Sequence, residues 1–342
     1  MVMVVAEADP AKEATAHWLR SQFRSYYAST KRILPDRFGR REFGFMFFNS
    51  TMVIRHEGFA LEQELNDFLV SKAPAHAYYS SAYYEKPNAK TMEEKGWLGA
   101  DLIFDLDADH LPNAKSMTYA EMLEAIRQRI IKLYDDFLKA DFGFAEDHMR
   151  LVFSGGRGYH IHVFDKRVWA LGSHERREIV DWVTGKGYDV NSAFKETAFD
   201  SREYQGHKTV KKMVVSPPTD APGWAGKIAR GMLQLARTLE PMKPEEAIAF
   251  LGSFEGISEN AATNLYSNLY KKRGTPPRQV RGVDLLLKGG PIEVLTDANR
   301  DTLIGIVVQL QQVKLDQQAG VALDGIVQRG DTDEPVTTDI KR

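Results

Sequence analysis

Cysteine is absent from the 342-residue sequence. That absence excludes disulfides, thiolate zinc sites and iron–sulfur clusters ligated by this chain. Long uncharged apolar runs of membrane-spanning length are missing, as is a signal-peptide pattern at the amino terminus, so a cytosolic or nucleoid-associated location is expected. Strong net charge is missing too: 45 basic residues nearly balance 47 acidic ones, for a formal charge of −2. Any phosphate-rich partner must then be met by positive charge concentrated locally. Internal repeats and low-complexity tracts are also lacking. What remains is 43% hydrophobic and 27% charged, enough apolar material for a sizeable core with one appended subdomain.

Asp9-Pro10 opens an amphipathic segment, with Asp9 as N-cap and Pro10 at the first helical position. Aromatic and β-branched residues between Arg41 and Ile54 predict a strand pair. Leu98 to Asp107 reads as a short strand, and Met149 to Phe164 as two strands joined by a glycine-rich turn. Between these regions Thr118 and Glu121 form a capping-box signature, and Met122, Ile126, Ile130, Leu133 and Phe137 follow as an apolar helical stripe. After Ser216 the pattern turns helical, over Ile228 to Leu239, Pro244 to Leu251, Ala261 to Tyr270 and Asn299 to Val313. A basic, proline-bearing linker from Lys271 to Arg281 interrupts them.

The segment from Asp101 to Asp109 departs from ordinary folding logic. Strand alternation points Leu102, Phe104 and Leu106 one way and Ile103, Asp105 and Asp107 the other. Aspartate is disfavoured in strands, and two on one face repel each other. Their Cα atoms would lie roughly 6–7 Å apart, a spacing that lets both carboxylates converge on a pair of divalent cations. Hard oxygen ligands suit magnesium or manganese. The plainer reading is a strand running out into an acidic, solvated turn, and Asp109 fits that reading best.

Ser154-Gly-Gly-Arg-Gly-Tyr-His160 lies between the two later strands. Its glycines permit positive φ and close backbone approach, and Arg157 can hold phosphate oxygens in a bidentate grip. His160 and His162 share one strand face. A histidine beside an arginine suits a triphosphate clamp. A transition-metal pair at His160 and His162, or a plain hairpin turn with a surface arginine, are the competing readings.

Taken in order, three elements resemble a known family, the archaeal and eukaryotic type of DNA primase small subunit. They are Arg41-Glu-Phe-Gly-Phe45 with Ile54-Arg55, then Phe104-Asp-Leu-Asp107, then Ser154-Gly-Gly-Arg-Gly-Tyr-His160. Tyr84-Glu-Lys-Pro-Asn88 adds to the resemblance. Their joint order is more specific than any one of them.

The resemblance implies an α+β (mixed α/β) fold, with an archaeo-eukaryotic primase-type catalytic core over 1–215, a mainly helical subdomain over 216–320 and a return to the core over 321–342. It implies a DNA primase catalytic subunit making short primers on single-stranded DNA by two-metal nucleotidyl transfer. Asp105, Asp107 and a late aspartate, Asp333 (with Asp339 as runner-up), would hold two Mg2+ or Mn2+ ions. Ser154, Arg157 and His160 would contact the nucleoside triphosphate. Arg55 and Lys86, with the Lys271–Arg281 linker, are candidate template or nucleotide contacts. The implied partners are a primase large subunit carrying the iron–sulfur domain, the template and nucleoside triphosphates, with no membrane. An archaeal source is expected, and a eukaryotic one would make the location nuclear.

Two departures stand out. The family's cysteine-rich zinc knuckle has no counterpart here, so no zinc site is expected. The family pattern also continues into an R-L-P-x-S-L-H-G-like strand, whereas this sequence stops at Asp339-Ile-Lys-Arg342, as a truncated chain would. Competing functions are a repair-type polymerase of the same superfamily, a metal-dependent nuclease and a non-catalytic nucleic-acid-binding subunit.

Overall fold

The computed structural model describes residues 10–31, 34–48, 50, 52–108, 111, 114–204, 207–276, 279–288 and 297–313, excepting the side chains of 196–204, 207–214 and 297. The expected N-cap Asp9 and the late aspartates Asp333 and Asp339 lie outside the described residues, as does Asp109. The chain folds as a mixed α+β protein in two compact units. Among the described residues, one takes the chain up to Arg127 and again from Phe144 to Ile179; the other takes Gln128–Gly143 and the chain from Val180 to Val313. The expected boundary at 215/216 falls inside the second unit.

In the first unit, helix α1 (Pro10–Ser29) buries none of its residues fully. It is tied to helix α2 (Glu62–Lys72) by polar contacts at that helix's end: Arg24 Nε donates to the Val70 carbonyl (3.2 Å) and the Tyr27 hydroxyl to Pro74 (3.0 Å). Strands β1 (Phe43–Met46), β2 (Val53–Glu57) and β3 (His76–Tyr79) form an antiparallel sheet in the order β2-β1-β3. Phe43, Phe45, Phe59, Leu65 and Leu69 make its core. A bulge in the β1–β2 pairing accompanies a positive φ of 67° at His56.

Strand β4 (Ala82–Tyr84), the short helix α3 (Met92–Lys95) and strand β5 (Trp97–Ala100) come next, β4 pairing with β5. Strand β6 (Leu102–Asp107) follows at once, but in a different sheet. The single strand expected over Leu98 to Asp107 is therefore two, broken at Asp101. The cause is a buried ion pair: Arg41 Nη2 lies 2.5 Å from Asp101 Oδ2, with the side chains 1% and 3% exposed. The Tyr83 hydroxyl donates to the other carboxylate oxygen, and Arg41 Nη1 donates to the Ser80 carbonyl (2.7 Å). Burial, with the Asp101 charge beside it, pushes the Tyr83 hydroxyl well above its ordinary value, so it stays a donor. The fully buried Arg176 then binds the backbone around the break, donating to the carbonyls of Asp101 (2.8 Å), Ala100 (3.0 Å) and Val168 (3.0 Å). A residue held this tightly inward cannot continue a strand.

Helix α4 (Tyr119–Lys132) begins as its capping box dictates, with Glu121 accepting from Thr118 N–H at 2.7 Å. It continues as a π-helical stretch over Leu133–Lys139, a widening that the uninterrupted apolar stripe does not announce. Strands β7 (Met149–Phe153) and β8 (Gly158–Val163) complete a sheet in the order β6-β8-β7, all antiparallel. Helices α5 (Lys166–Trp169) and α6 (Ser173–Thr184) follow.

The second unit holds a long hairpin, β9 (Lys195–Tyr204) with β10 (His207–Val215), which the sequence reading does not anticipate. Its helices are α7 (Gly223–Leu239), α8 (Pro244–Gly252), α9 (Glu259–Tyr270), α10 (Gly282–Leu287) and α11 (Asp297–Gln311). Ile228, Met232, Leu235, Leu265, Leu269, Leu303 and Val307 pack at its centre. The basic linker is organised as a two-residue pair, β11 (Lys272–Arg273) with β12 (Val280–Arg281). Two of its arginines serve helix ends: Arg273 binds the Asn268 carbonyl (2.9 Å), and Arg281 pairs with Asp284 (2.6 Å) at the start of α10. Lys227, buried in α7, is matched by Asp141 at 2.7 Å.

Removing one member of a buried ion pair strands the other charge. Arg41→Met is expected to cost about 3–5 kcal/mol of stability. Arg41→Met combined with Asp101→Leu should recover most of that loss. Urea unfolding of both variants checks this, and a double variant as weak as the single one would refute the pairing argument.

Candidate active site

The site grows from the alternation of β6. Leu102, Phe104 and Leu106 are buried, while Ile103, Asp105 and Asp107 are half-buried on the opposite face. Antiparallel pairing with β8 sets Asp105 opposite His160 and Asp107 opposite Gly158. The next strand sets His160 opposite Val152 and His162 opposite Arg150. One face of the sheet thus carries three rows: Ile103, His162 and Arg150; Asp105, His160 and Val152; Asp107 and the glycine turn. The two aspartates share a face as their spacing demands, and His160 Nε2 lies 3.2 Å from Asp105 Oδ1.

The turn is fixed by Ser154. Its N–H donates to the Gly158 carbonyl (3.0 Å), and its Oγ accepts from the N–H groups of Gly158 (3.1 Å) and Gly156 (3.4 Å). Those two amides therefore face the serine, and the hydroxyl proton is the donor that Ser154 can offer a ligand. Gly155 takes a positive φ of 82°. Gly158 is required for a different reason: a Cβ there would lie 2.3 Å from the Leu106 carbonyl oxygen. The turn is bound to the acidic strand by Ala108 N–H, which donates to the Arg157 carbonyl (3.1 Å). The Tyr119 hydroxyl holds the Gly156 carbonyl at 3.0 Å. Arg157 itself is exposed at the tip.

Burial, reinforced by the neighbouring His160, Arg41 and Arg150, pushes the His162 imidazole down to about 4. It is neutral at physiological pH and can donate or accept without adding charge.

Arg55 and Lys86 belong to other elements. Arg55, on β2, is engaged by Glu42 at 3.3 Å, and Lys95 binds the same carboxylate at 2.9 Å. Burial opposes ionisation of Glu42, but the Lys95 hydrogen bond and the Arg55 and Lys95 charges outweigh it and hold the carboxyl below its ordinary range. Lys86 is exposed in the loop after β4, its N–H donating to the Lys95 carbonyl (2.9 Å). Glu42, Lys95, Asp101 and Arg150 escape the sequence reading. A charged residue at the start of an aromatic strand is the signal that could have marked Glu42.

Among the described residues no cluster of three or more histidine, aspartate or glutamate side chains is arranged to hold a metal ion. Asp105 and Asp107 nevertheless supply hard carboxylate oxygens on one face, the donor type that magnesium and manganese take. No described helix is long and apolar enough to cross a membrane.

A paired-carboxylate strand packed against a basic glycine turn suits an enzyme that transfers groups at phosphorus. Comparison with known proteins narrows this class. Residues 104–342 match the family described as DNA primase small subunit. A DNA primase small subunit from Methanocella arvoryzae is 40% identical over 335 residues, 96% of this chain and 78% of the relative. One from Methanococcoides burtonii is 40% identical over 331 residues, 96% and 77% of the two chains. A Halobacterium salinarum counterpart is 38% identical over 261 residues, 75% and 65%. The chain belongs to the DNA primase small-subunit family. It is the catalytic subunit, a nucleotidyltransferase that makes primers, and membership implies a reaction assisted by divalent metal.

The His162 shift has a consequence for stability. Its folded value of about 4 lies below the ordinary 6.5, so between these pH values the unfolded chain binds a proton that the folded one does not. Stability should fall as pH drops from about 6.5 to about 4, by roughly 3 kcal/mol at most from this group. His162→Gln should flatten that part of the profile relative to the parent chain. Denaturation midpoints across the range test it, and parallel profiles would remove His162 as the cause.

Proposed function

We propose that Asp105 and Asp107, with Asp333 from the segment 321–342 returning to the core, hold two Mg2+ or Mn2+ ions for template-directed nucleotidyl transfer. The observation that supports this is the strand register, which sets one aspartate beside His160 and the other beside the glycine turn. Divalent ions bound there would supply activation of the attacking hydroxyl and charge stabilisation of the leaving pyrophosphate.

The protein's own groups then have distinct tasks. Arg157 grips the triphosphate from the tip of the turn, and the Ser154 hydroxyl donates to a phosphate oxygen. His160, bound to Asp105 here, lies between the carboxylates and the nucleotide and steadies both. The turn that carries Arg157 is hydrogen-bonded to the end of the acidic strand through Ala108 N–H, so positioning contributes more than general-base chemistry. Arg55, oriented by Glu42, and Lys86 are assigned to nucleotide or template contacts. The working partners are nucleoside triphosphates, a single-stranded DNA template and a primase large subunit, in the cytoplasm at the nucleoid.

Asp105→Asn or Asp107→Asn should abolish primer synthesis while leaving stability level or raised, because each removes one of two like charges from a strand face. Unfolding of the variant, or near-normal synthesis, counts against the metal role. Arg157→Ala should weaken nucleotide binding by roughly 1.5–3 kcal/mol and single-stranded DNA binding far less. Separate titrations decide it: an effect confined to DNA moves Arg157 to the template path.

A further inference from the structure

The catalytic face does not end at His160. One row further from the turn, Arg150 on β7 stands opposite His162 on β8, which stands opposite Ile103 on β6. Alternation puts Arg150 and His162 on the same face as Asp105 and His160. Phe164, two residues beyond His162, continues that face, and the Arg150 guanidinium lies 5.1 Å from its ring centroid. No described carboxylate pairs with Arg150, unlike Arg41, Arg55, Arg167 and Arg281.

We propose that Arg150, with Phe164 and His162, is a contact for the backbone phosphate of single-stranded nucleic acid crossing the far end of the catalytic face. The proposal rests on the catalytic assignment of the preceding subsection. Arg150 lies on β7 and Ser154 just past its end, four residues on, a span of about 13 Å. A nucleotide gripped by Ser154 and Arg157, with its reacting phosphate at Asp105 and Asp107, occupies the turn end. The strand being copied or extended must approach from the other end, and Arg150 is the cation standing there. Arginine delivers a planar, bidentate donor to phosphate, a neutral imidazole adds a hydrogen bond without extra charge, and aromatic rings suit the bases.

A blander role is available, since a charge on an edge strand discourages edge-to-edge pairing. That role asks only for charge somewhere on β7. It does not explain stacking on Phe164 or alignment with His162, and it leaves Leu151 and Phe153 of the same strand 51% and 47% exposed.

The test uses the full chain, a labelled oligothymidylate and Mg·ATP. Arg150→Ala should weaken oligothymidylate binding about tenfold at moderate salt and lower the slope of log affinity against log salt by about 0.7. Arg150→Lys should keep the parent slope while losing part of the affinity. Mg·ATP affinity and the urea midpoint should stay unchanged in both. Parent-like DNA affinity and salt slope in Arg150→Ala overturn the proposal, as does a loss confined to Mg·ATP. A change in solubility alone would return Arg150 to its edge-strand role. Asp105→Asn serves as the control: if it synthesises primers normally the catalytic assignment fails, whereas the salt slope of Arg150→Ala reads the phosphate contact regardless.

Discussion

A carboxylate taken out of water must find charge and hydrogen bonds enough to replace it. Asp101 finds both, in Arg41 and the Tyr83 hydroxyl, and the fold of the first unit is arranged around that requirement. Arg41 comes from the residue pair leading into β1, Tyr83 from β4, and Asp101 from the gap between β5 and β6. The ion pair therefore joins three separated parts of the chain at the point where one sheet ends and the next begins. Arg176 adds carbonyl contacts on both sides of the break. The acidic strand consequently starts at Leu102 in one fixed register, and that register decides which face Asp105 and Asp107 occupy. A slip of one residue would turn both aspartates into the apolar side and Phe104 out of it.

The parts of this arrangement legible in the sequence are those carried by local pattern. Period-two alternation from Leu102 to Asp107 assigns the faces of β6, and Ser154 to Gly158 announces a turn by its glycines. The capping box at Thr118 and Glu121 is local as well. The helices of the second unit are legible for the same reason, though α7 starts at Gly223, ahead of the apolar periodicity, because Trp224 and Lys227 are buried there. What is not legible depends on partners distant in the chain. Nothing near Leu98 to Asp107 signals that Asp101 will meet a residue sixty positions earlier. Lys227 reads as a surface lysine until Asp141 is placed beside it. The β9–β10 hairpin is missed because its charged and polar residues give no hydrophobic alternation to follow.

The site combines groups that would separate if left to themselves. Two carboxylates on one half-buried face repel, and a carboxylate in such a setting prefers water or a proton. Several features hold them. His160 lies against Asp105, so one of the two negative charges has a polar partner within the sheet. The Leu106 carbonyl and Gly158 approach too closely for any other residue, which clamps β8 against the acidic strand at Asp107. Ala108 N–H then ties the end of that strand to the turn. Strand β6 is thus held at both ends, at Asp101 and where Gly158 meets Asp107, and Asp105 lies between them.

That distribution bears on how the chain can be negative overall and still handle polyanions. Part of the positive charge is spent internally. Arg41, Lys95, Arg176 and Lys227 are buried against carboxylates or carbonyls, while Arg273 and Arg281 serve helix ends. The net figure of −2 therefore says little about the field over the sheet. There the cations are Arg157 at the turn and Arg150 at the opposite end of β7, with two histidines between them facing two aspartates. A phosphate chain laid along this face meets a cation at each end and the carboxylates at its middle. Bound divalent ions would convert that middle from a barrier into the strongest attraction on the face. Affinity for both nucleotide and strand should then depend on the aspartates far more steeply with divalent ions present than without them, whereas the contribution of Arg150 should persist in their absence.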